Sequence, residues 1–399
     1  MIKLKKDIWE KSTLSECCEF HRGVTYSTKD EVDNDGVGIL RANNINAESS
    51  QLNFDNLRLI SKEAKLKENQ KLRKNDVLIC TASGSLDHIG KVAFAKENTN
   101  YYAGGFMGII RPIEKEIEPN LLFNIFLSER FTTFIQNQRA GTNIQNLKFS
   151  NIESFEIPLP PLEEQKQISA LFQSIETSME QVDAQEKIFK ALWLRLIAEI
   201  VCDKPTFGNL LNGKKLQTVN YCDVTEKIMR RIAPESYGIE KIIGGEHLNT
   251  EDFKIRTWDT VGKDPLGPAF HVLFQPGDIL YGSRRTYLKK VAFAEFEGVC
   301  ANTTYVIRAN EEFLLQDLLK HIMLSEKFTQ FSIGVSKGST NPYINWKDLD
   351  NFSFQIPDVE TQKQIVKVLD SLIEIREQLK QQKTTLKNLK QKLLNEILE

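Results

Sequence analysis

The run Ser283-Arg284-Arg285-Thr286-Tyr287-Leu288-Lys289-Lys290 sets four cations, two hydroxyls and an aromatic ring within eight residues. An arginine fork matches the paired acceptors of a guanine edge or a phosphate, and a lysine neutralises phosphate as a point charge. Such a run suits the recognition of an anionic polymer with readable edges, not bond making. A second polar stretch, Lys337, Ser339, Thr340 and Asn341, follows it. In the first half of the chain Ser83, His88 and Lys91, with Thr81 and Ser85, stand where the first run would, and Arg139, Thr142, Asn143 and Gln145 where the second would. Asparagine and glutamine carry a donor and an acceptor that fit an adenine edge, although each is also an ordinary turn residue. These side chains are the candidate DNA-binding residues, and double-stranded DNA is the expected partner. Lys62, Lys65, Lys67, Lys71, Arg73 and Lys74 form another basic stretch, read more simply as a solvated helix face.

Residues that could make or break bonds do not assemble. There is no Gly-x-x-x-x-Gly-Lys-(Ser/Thr) phosphate loop. Asn341-Pro342-Tyr343 lacks the second proline and the glycine-rich partner that an amino-methyltransferase would need, and Glu163-Glu164 and Asp348 with Asp350 fall into no nuclease pattern. Cysteines 17, 18, 80, 202, 222 and 300 form no Cys-x-x-Cys pair, and the five histidines are scattered. No catalytic residue, metal or cofactor is expected. A net charge of −2 over 399 residues gives no global pull on DNA, so contact must come from local patches. The N-terminal stretch lacks an apolar core of leader length, and no apolar run of membrane-spanning length occurs. The chain therefore reads as cytoplasmic, with no membrane partner.

Two long helices must position these loops. Ile157-Pro158-Leu159-Pro160-Pro161 leads into a stretch free of Gly and Pro, and Ile356-Pro357 leads into another that runs to the C-terminus. Counting sevens gives the seam Ile168, Ile175, Val182, Phe189 and Leu196 in one, and Ile365, Leu372, Leu379, Leu386 and Leu393 in the other. Three residues on from these lie Leu171, Ser178, Gln185, Leu192 and Glu199, and Val368, Ile375, Gln382, Leu389 and Glu396. The matching polar positions, Gln185 with Gln382 and Glu199 with Glu396, predict helices packed on each other with register set by polar interruptions in the core. At about 1.5 Å per residue, about 40 residues span about 60 Å.

The duplication extends beyond the helices. Lys91-Val92-Ala93-Phe94-Ala95 recurs as Lys290-Val291-Ala292-Phe293-Ala294, and Leu127-Ser128-Glu129-Arg130-Phe131 as Leu324-Ser325-Glu326-Lys327-Phe328. Each unit offers short apolar runs broken by Gly, Asn and Asp, then one helical stretch around residues 119–138 or 313–331, then a polar loop and a short strand at 154–157 or 352–356. The fold class is α+β: two similar modules, residues 1–157 and 203–357, alternating with long helices, residues 158–202 and 358–399, which pack antiparallel as a coiled-coil spacer with internal pseudo-two-fold symmetry.

Four elements carry a family resemblance: Asp76-Val77-Leu78-Ile79, Leu40-Arg41-Ala42-Asn43-Asn44-Ile45, the loop Gly141-Thr142-Asn143-Ile144, and Pro158-Leu159-Pro160-Pro161-Leu162-Glu163-Glu164-Gln165-Lys166-Gln167-Ile168. Together they resemble the specificity subunit of type I restriction-modification enzymes, in duplicate along essentially the whole chain. The second copy departs where Asp358-Val359-Glu360-Thr361 replaces Pro-Pro-Leu-Glu-Glu. The resemblance implies two target-recognition domains, each reading half of a split asymmetric site, with the helices as a ruler. It also implies assembly with two methyltransferase subunits and with motor-nuclease subunits. The competing expectation is a duplicated coiled-coil adapter that binds only proteins.

Overall fold

The computed structural model describes residues 6–47, 49–140, 146–232, 238–262 and 267–398. Residues 142, 143 and 145 lie outside it, as does the side chain of Arg139. The chain divides into two compact units, residues 1–182 with 381–399 and residues 183–380. Each long helix, Leu162–Val201 and Val359–Leu398, therefore contributes one stretch to each unit.

In the first unit a four-stranded antiparallel sheet runs in the order Cys18–Arg22, Met107–Pro112, Val77–Cys80, Val92–Phe94. The second unit repeats it as Thr225–Ile228, Thr304–Ala309, Ile279–Gly282, Val291–Phe293. A smaller sheet accompanies each, three-stranded in the first unit and four-stranded in the second, where Phe270–Phe274 is the added strand. Each unit also pairs its first strand with the one before its long helix, Glu10–Thr13 with Glu156–Leu159 and Gln217–Asn220 with Ser353–Ile356. A buried carboxylate pins each main sheet. Asp76 takes two hydrogen bonds of 2.8 Å from the Arg111 guanidinium, and Asp278 is held by Arg230 and Arg308. Burying a charge is tolerable only when it is paired in this way.

The single helical stretch expected in each unit is two helices, Pro119–Phe126 and Glu129–Ala140, or Gln316–Ile322 and Glu326–Gly334. The repeated Leu-Ser-Glu motif is the reason. The Ser128 and Ser325 hydroxyls accept hydrogen bonds from the amides of Phe131 and Phe328, both at 3.1 Å, capping a new helix. The basic residues of 62–74 do not lie on a helix: they fall in turns and irregular chain on either side of the short 3-10 helix Glu68–Gln70, with Lys62 paired to Asp35 and Arg73 to Glu68.

Each long helix is keyed to its module by one glutamine. The Gln165 carboxamide accepts from the Glu118 amide at 2.8 Å and donates to the carbonyls of Glu116 and Pro160. Gln362 accepts from the Leu315 amide at 2.9 Å and donates to Phe313 and Pro357. Both are the first glutamine of the Gln-Lys-Gln-Ile signature and both are fully buried, whereas Gln167 and Gln364 are exposed. The divergent start of the second helix is a change of cap. Asp358 accepts from the Thr361 amide and hydroxyl at 2.9 and 2.8 Å, where the first helix begins on Pro161.

Within each unit the helices run antiparallel. Ile168 and Phe172 share a core with Leu394, Ile397 and Leu398 in the first, and Lys390 pairs with Glu176 at 2.7 Å. In the second, Trp193, Ile197 and Ile200 share a core with Ile365, Leu369 and Leu372, and Arg376 pairs with Glu186 at 3.0 Å. Of the heptad seam, Ile168, Ile175, Val182, Ile365, Leu372 and Leu379 are buried, while Phe189, Leu196, Leu386 and Leu393 are half-buried. The companion seam is corrected. Gln185, Leu192, Val368, Gln382, Leu389 and Glu396 are exposed, and the buried companions lie four residues on, at Phe172, Trp193, Ile200, Leu369, Arg376 and Ile397. The buried positions thus keep the seven-residue repeat, with steps of four and then three from each seam residue.

A polar chain also crosses the second core. Trp193 Nε1 donates to His321 Nδ1 at 3.1 Å, leaving the imidazole proton on Nε2, which faces Asp370 at 3.0 Å. His321 has no exposed surface, and burial lowers its pKa despite the Asp370 carboxylate.

Gln165→Leu or Gln362→Leu strands one buried amide and two carbonyls. Each orphaned group costs about 1–3 kcal/mol, so denaturant unfolding of either variant should shift strongly, while Gln167→Leu should scarcely move it. The depressed His321 pKa also sets a pH dependence. The unfolded chain takes up this proton first, so stability is fully present above the unfolded histidine value of about 6.5 and is lost as pH falls from there through the lower folded value. Unfolding midpoints compared at about pH 7 and pH 5 should show this loss, and His321→Gln should flatten it.

Candidate nucleic-acid interface

The two polar runs of the second unit meet as a backbone ribbon at the end of the sheet strand Ile279–Gly282. Ile344 donates its amide to Ser283 O at 2.9 Å, Arg285 to Pro342 O at 2.7 Å, and Lys337 and Tyr343 exchange hydrogen bonds in both directions at 2.8 and 2.9 Å. Arg284 pairs antiparallel with Tyr343, and Tyr343 with Lys337. Arg285 and Lys289 flank a 3-10 turn and both occupy the left-handed region, at φ +50° and +48°. Non-glycine residues hold that conformation when the surroundings over-determine it, a condition that concentrates at functional sites.

The ribbon displays Arg284, Arg285, Tyr287, Lys337, Ser339 and Asn341. Tyr287 is 51% exposed and Tyr343 42%. Neither Arg284 nor Arg285 makes a side-chain hydrogen bond or ion pair among the described residues, so both forks are free. Lys337 is shared with Asp348 at 3.0 Å.

Two expected contacts are corrected. Ser283 is buried, and its hydroxyl donates to Thr303 O at 2.6 Å, so it belongs to the scaffold. Lys289 turns inward between Glu326 at 2.8 Å and Glu251 at 3.4 Å. Burial opposes its charge, yet the two carboxylates hold its pKa above the ordinary lysine value. Glu251 in turn takes Lys190 of the first long helix at 2.7 Å, and the two ammonium groups outweigh its burial to lower its pKa. Lys289 thus fastens the ribbon to the helix within this unit.

Among the described residues the first unit repeats part of this ribbon. Thr81 and Ala82 donate their amides to Phe106 O, Leu147 donates to Thr81 O at 2.7 Å, and Ala82 pairs antiparallel with Asn146. The Thr81 hydroxyl donates to Phe106 O at 3.0 Å, the counterpart of Ser283. Ser83 is half-buried and its hydroxyl accepts from the Ser85 amide, while Lys91 donates to His88 Nδ1 at 2.9 Å, which ties these two together. Beside them Phe106 is 72% exposed. Phe106, Asn146 and Tyr343 had no place among the sequence candidates. Asn146 and Tyr343 border the candidate polar loops, whereas Phe106 carries no such signal.

Groups that could hold a metal or act as nucleophiles are engaged structurally. Among the described residues Glu246, His247 and Asp259 approach one another, but His247 Nδ1 accepts from the Gly244 amide at 2.9 Å. That fixes the proton on Nε2, facing Asp259, and leaves no ring lone pair for an ion. All six cysteines are free thiols, and burial pushes Cys80 up to about 11 and Cys300 up to about 12. No helix among the described residues is long and apolar enough to cross a membrane.

A family model described as type I restriction modification DNA specificity domain matches the chain twice, over residues 6–188 and 210–388. The specificity subunit of the type I restriction enzyme StySPI from Salmonella potsdam is 32% identical over 179 residues, 44% of this chain and 37% of that protein. That of EcoKI from Escherichia coli strain K12 is 28% identical over 233 residues, 57% of this chain and 48% of that protein. The matched segments thus span less than half the length of either relative. In fold, a chain from a structure described as the basis of complex assembly and conformational transition of the type I R-M system superposes with a TM-score of 0.61 at 19% identity, covering 98% of this chain and 97% of its own.

Scaffold and display separate in stability measurements. Ser283→Ala removes a buried hydrogen bond and should lower stability by about 1 kcal/mol. Arg284→Ala, exposed and unpaired, should stay within about 0.5 kcal/mol of the parent in the same thermal unfolding experiment.

Proposed function

The chain belongs to the type I restriction modification DNA specificity domain family, and from that premise we propose that it is the sequence-reading subunit of a type I restriction-modification complex. Each module reads one half of a split, asymmetric DNA site. The chain itself catalyses nothing: it places two methyltransferase subunits, and motor-nuclease subunits with them, on the sites it selects. The modules correspond to residues 1–157 and 203–357, and the intervening helices set the distance between half-sites. Half-sites about 34 Å apart, one duplex turn, match the reach of a helix of about 60 Å.

The observation that carries this reading is the pair of ribbons. One hydrogen-bonded scaffold occurs twice, and the side chains it displays differ, as an asymmetric site requires. In the second module Arg284, Arg285, Tyr287, Lys337, Ser339 and Asn341 are the proposed DNA contacts. In the first they are Ser83, His88 and Lys91 with the loop that holds Arg139, Thr142, Asn143 and Gln145. The free forks of Arg284 and Arg285 favour DNA over the protein-only adapter, because unpaired exposed arginines suit phosphate and guanine.

Mapping methylated bases genome-wide in cells with and without this chain tests the reading. Loss of one bipartite motif is expected, and an unchanged methylome would refute it. In the same cells, replacing Arg284 and Arg285 by alanine should impair recognition of one half-site only. Where binding is measured against salt, each lost phosphate contact should reduce the slope of log affinity on log salt by about 0.9.

A further inference from the structure

Resting on that reading, we propose that one cross-strand pair in each ribbon decides which base its module accepts: Arg284 with Tyr343 in the second module, Ala82 with Asn146 in the first. The two pairs occupy the same place in the repeat. On one side stand the buried hydroxyls of Ser283 and Thr81, donating to the carbonyls of Thr303 and Phe106. On the other stand the amides of Ile344 and Leu147, donating to the carbonyls of Ser283 and Thr81. Between these fixed points Arg284 opposes Tyr343, and Ala82 opposes Asn146.

Residues directly opposite in an antiparallel ribbon project to one face about 5 Å apart. Tyr343 also opposes Lys337, so Arg284, Tyr343 and Lys337 form a row across three segments with the ring in the middle. Arg284, Lys337 and Asn146 are exposed, and Tyr343 is largely so. A free guanidinium on the same face of the ribbon as an aromatic ring is equipped to fork onto guanine O6 and N7, while the ring packs on the neighbouring base. Asn146 offers the donor and acceptor that match adenine N6 and N7, and Ala82 beside it offers only a methyl group, suited to thymine. The second module therefore requires a guanine at the position facing its pair, and the first requires an adenine.

The test is a chain-deleted strain complemented with the full-length chain or its variants, read by sequence-resolved methylation. With the parent chain a bipartite motif returns. Arg284→Ala should then lose at least about fivefold discrimination at one guanine of one half-site, the low end of what a bidentate base contact contributes. Tyr343→Ala should relax the same position while Tyr343→Phe keeps it, since the ring and not its hydroxyl is invoked. Asn146→Ala should relax an adenine in the other half-site. An unchanged motif for Arg284→Ala and Asn146→Ala, relaxation of the same half by both, or complete loss of modification by a variant that unfolds like the parent would overturn the assignment, the last by making the pair an affinity contact. If the parent chain restores no bipartite motif, the sequence-reading function fails first, and the pair with it.

Discussion

A buried glutamine carboxamide joins each module to its long helix, and the orientation of everything else in that unit follows from it. Gln165 and Gln362 each accept from one amide and donate to two carbonyls, one before their own helix and one before the neighbouring short helix. Inside a protein such a group is worth most when fully satisfied and costs most when half satisfied. The joint therefore tolerates little variation in the angle at which a helix leaves its module. An amphipathic helix held only by apolar packing would slide or rotate more freely, and loops carried on it would lose their aim.

From that joint outward the molecule separates what must stay from what can change. Asp76 with Arg111, and Asp278 with Arg230 and Arg308, pin the main sheets, and Thr81 and Ser283 close the ribbons with the same buried hydrogen bond. Directly beyond those hydroxyls the chemistry diverges, to Ala82 and Asn146 in one unit and to Arg284 and Tyr343 in the other. The second unit adds ionic ties from its ribbon and loops to the helices, Lys289 to Glu251 to Lys190 and Arg256 to Glu377, and the His321 chain between Trp193 and Asp370.

Duplication made the architecture legible. Two copies of the Gln-Lys-Gln-Ile signature and of the Leu-Ser-Glu motif marked the long helices and the repeat, and both motifs prove to be structural devices, a buried joint and a helix cap. Heptad counting found Ile168, Ile175 and Ile365 but chose the wrong companions, because a heptad seam alternates steps of three and four and the first step from these residues is four, to Phe172 and Leu369, not three. The candidate site was half legible. Composition pointed to the loops that pair as ribbons and to the exposed Arg284 and Arg285, yet it could not say that Ser283 faces inward or that Lys289 is taken by Glu251 and Glu326, since both depend on residues distant in sequence. Asn146 and Tyr343 border the candidate loops but were not chosen, because only strand pairing puts them opposite Ala82 and Arg284.

The central claim is that two independently chosen half-sites are held at a distance set by the long helices. Its most direct measurement is the modified DNA motif in cells carrying a chain with seven residues inserted in each long helix, after Val182 and after Gln381. Two added turns lengthen each helix by about 10 Å, or about three base pairs of 3.4 Å. Both half-site sequences should be retained while the gap between them grows by about that number. An unchanged gap, with modification intact, would contradict the account.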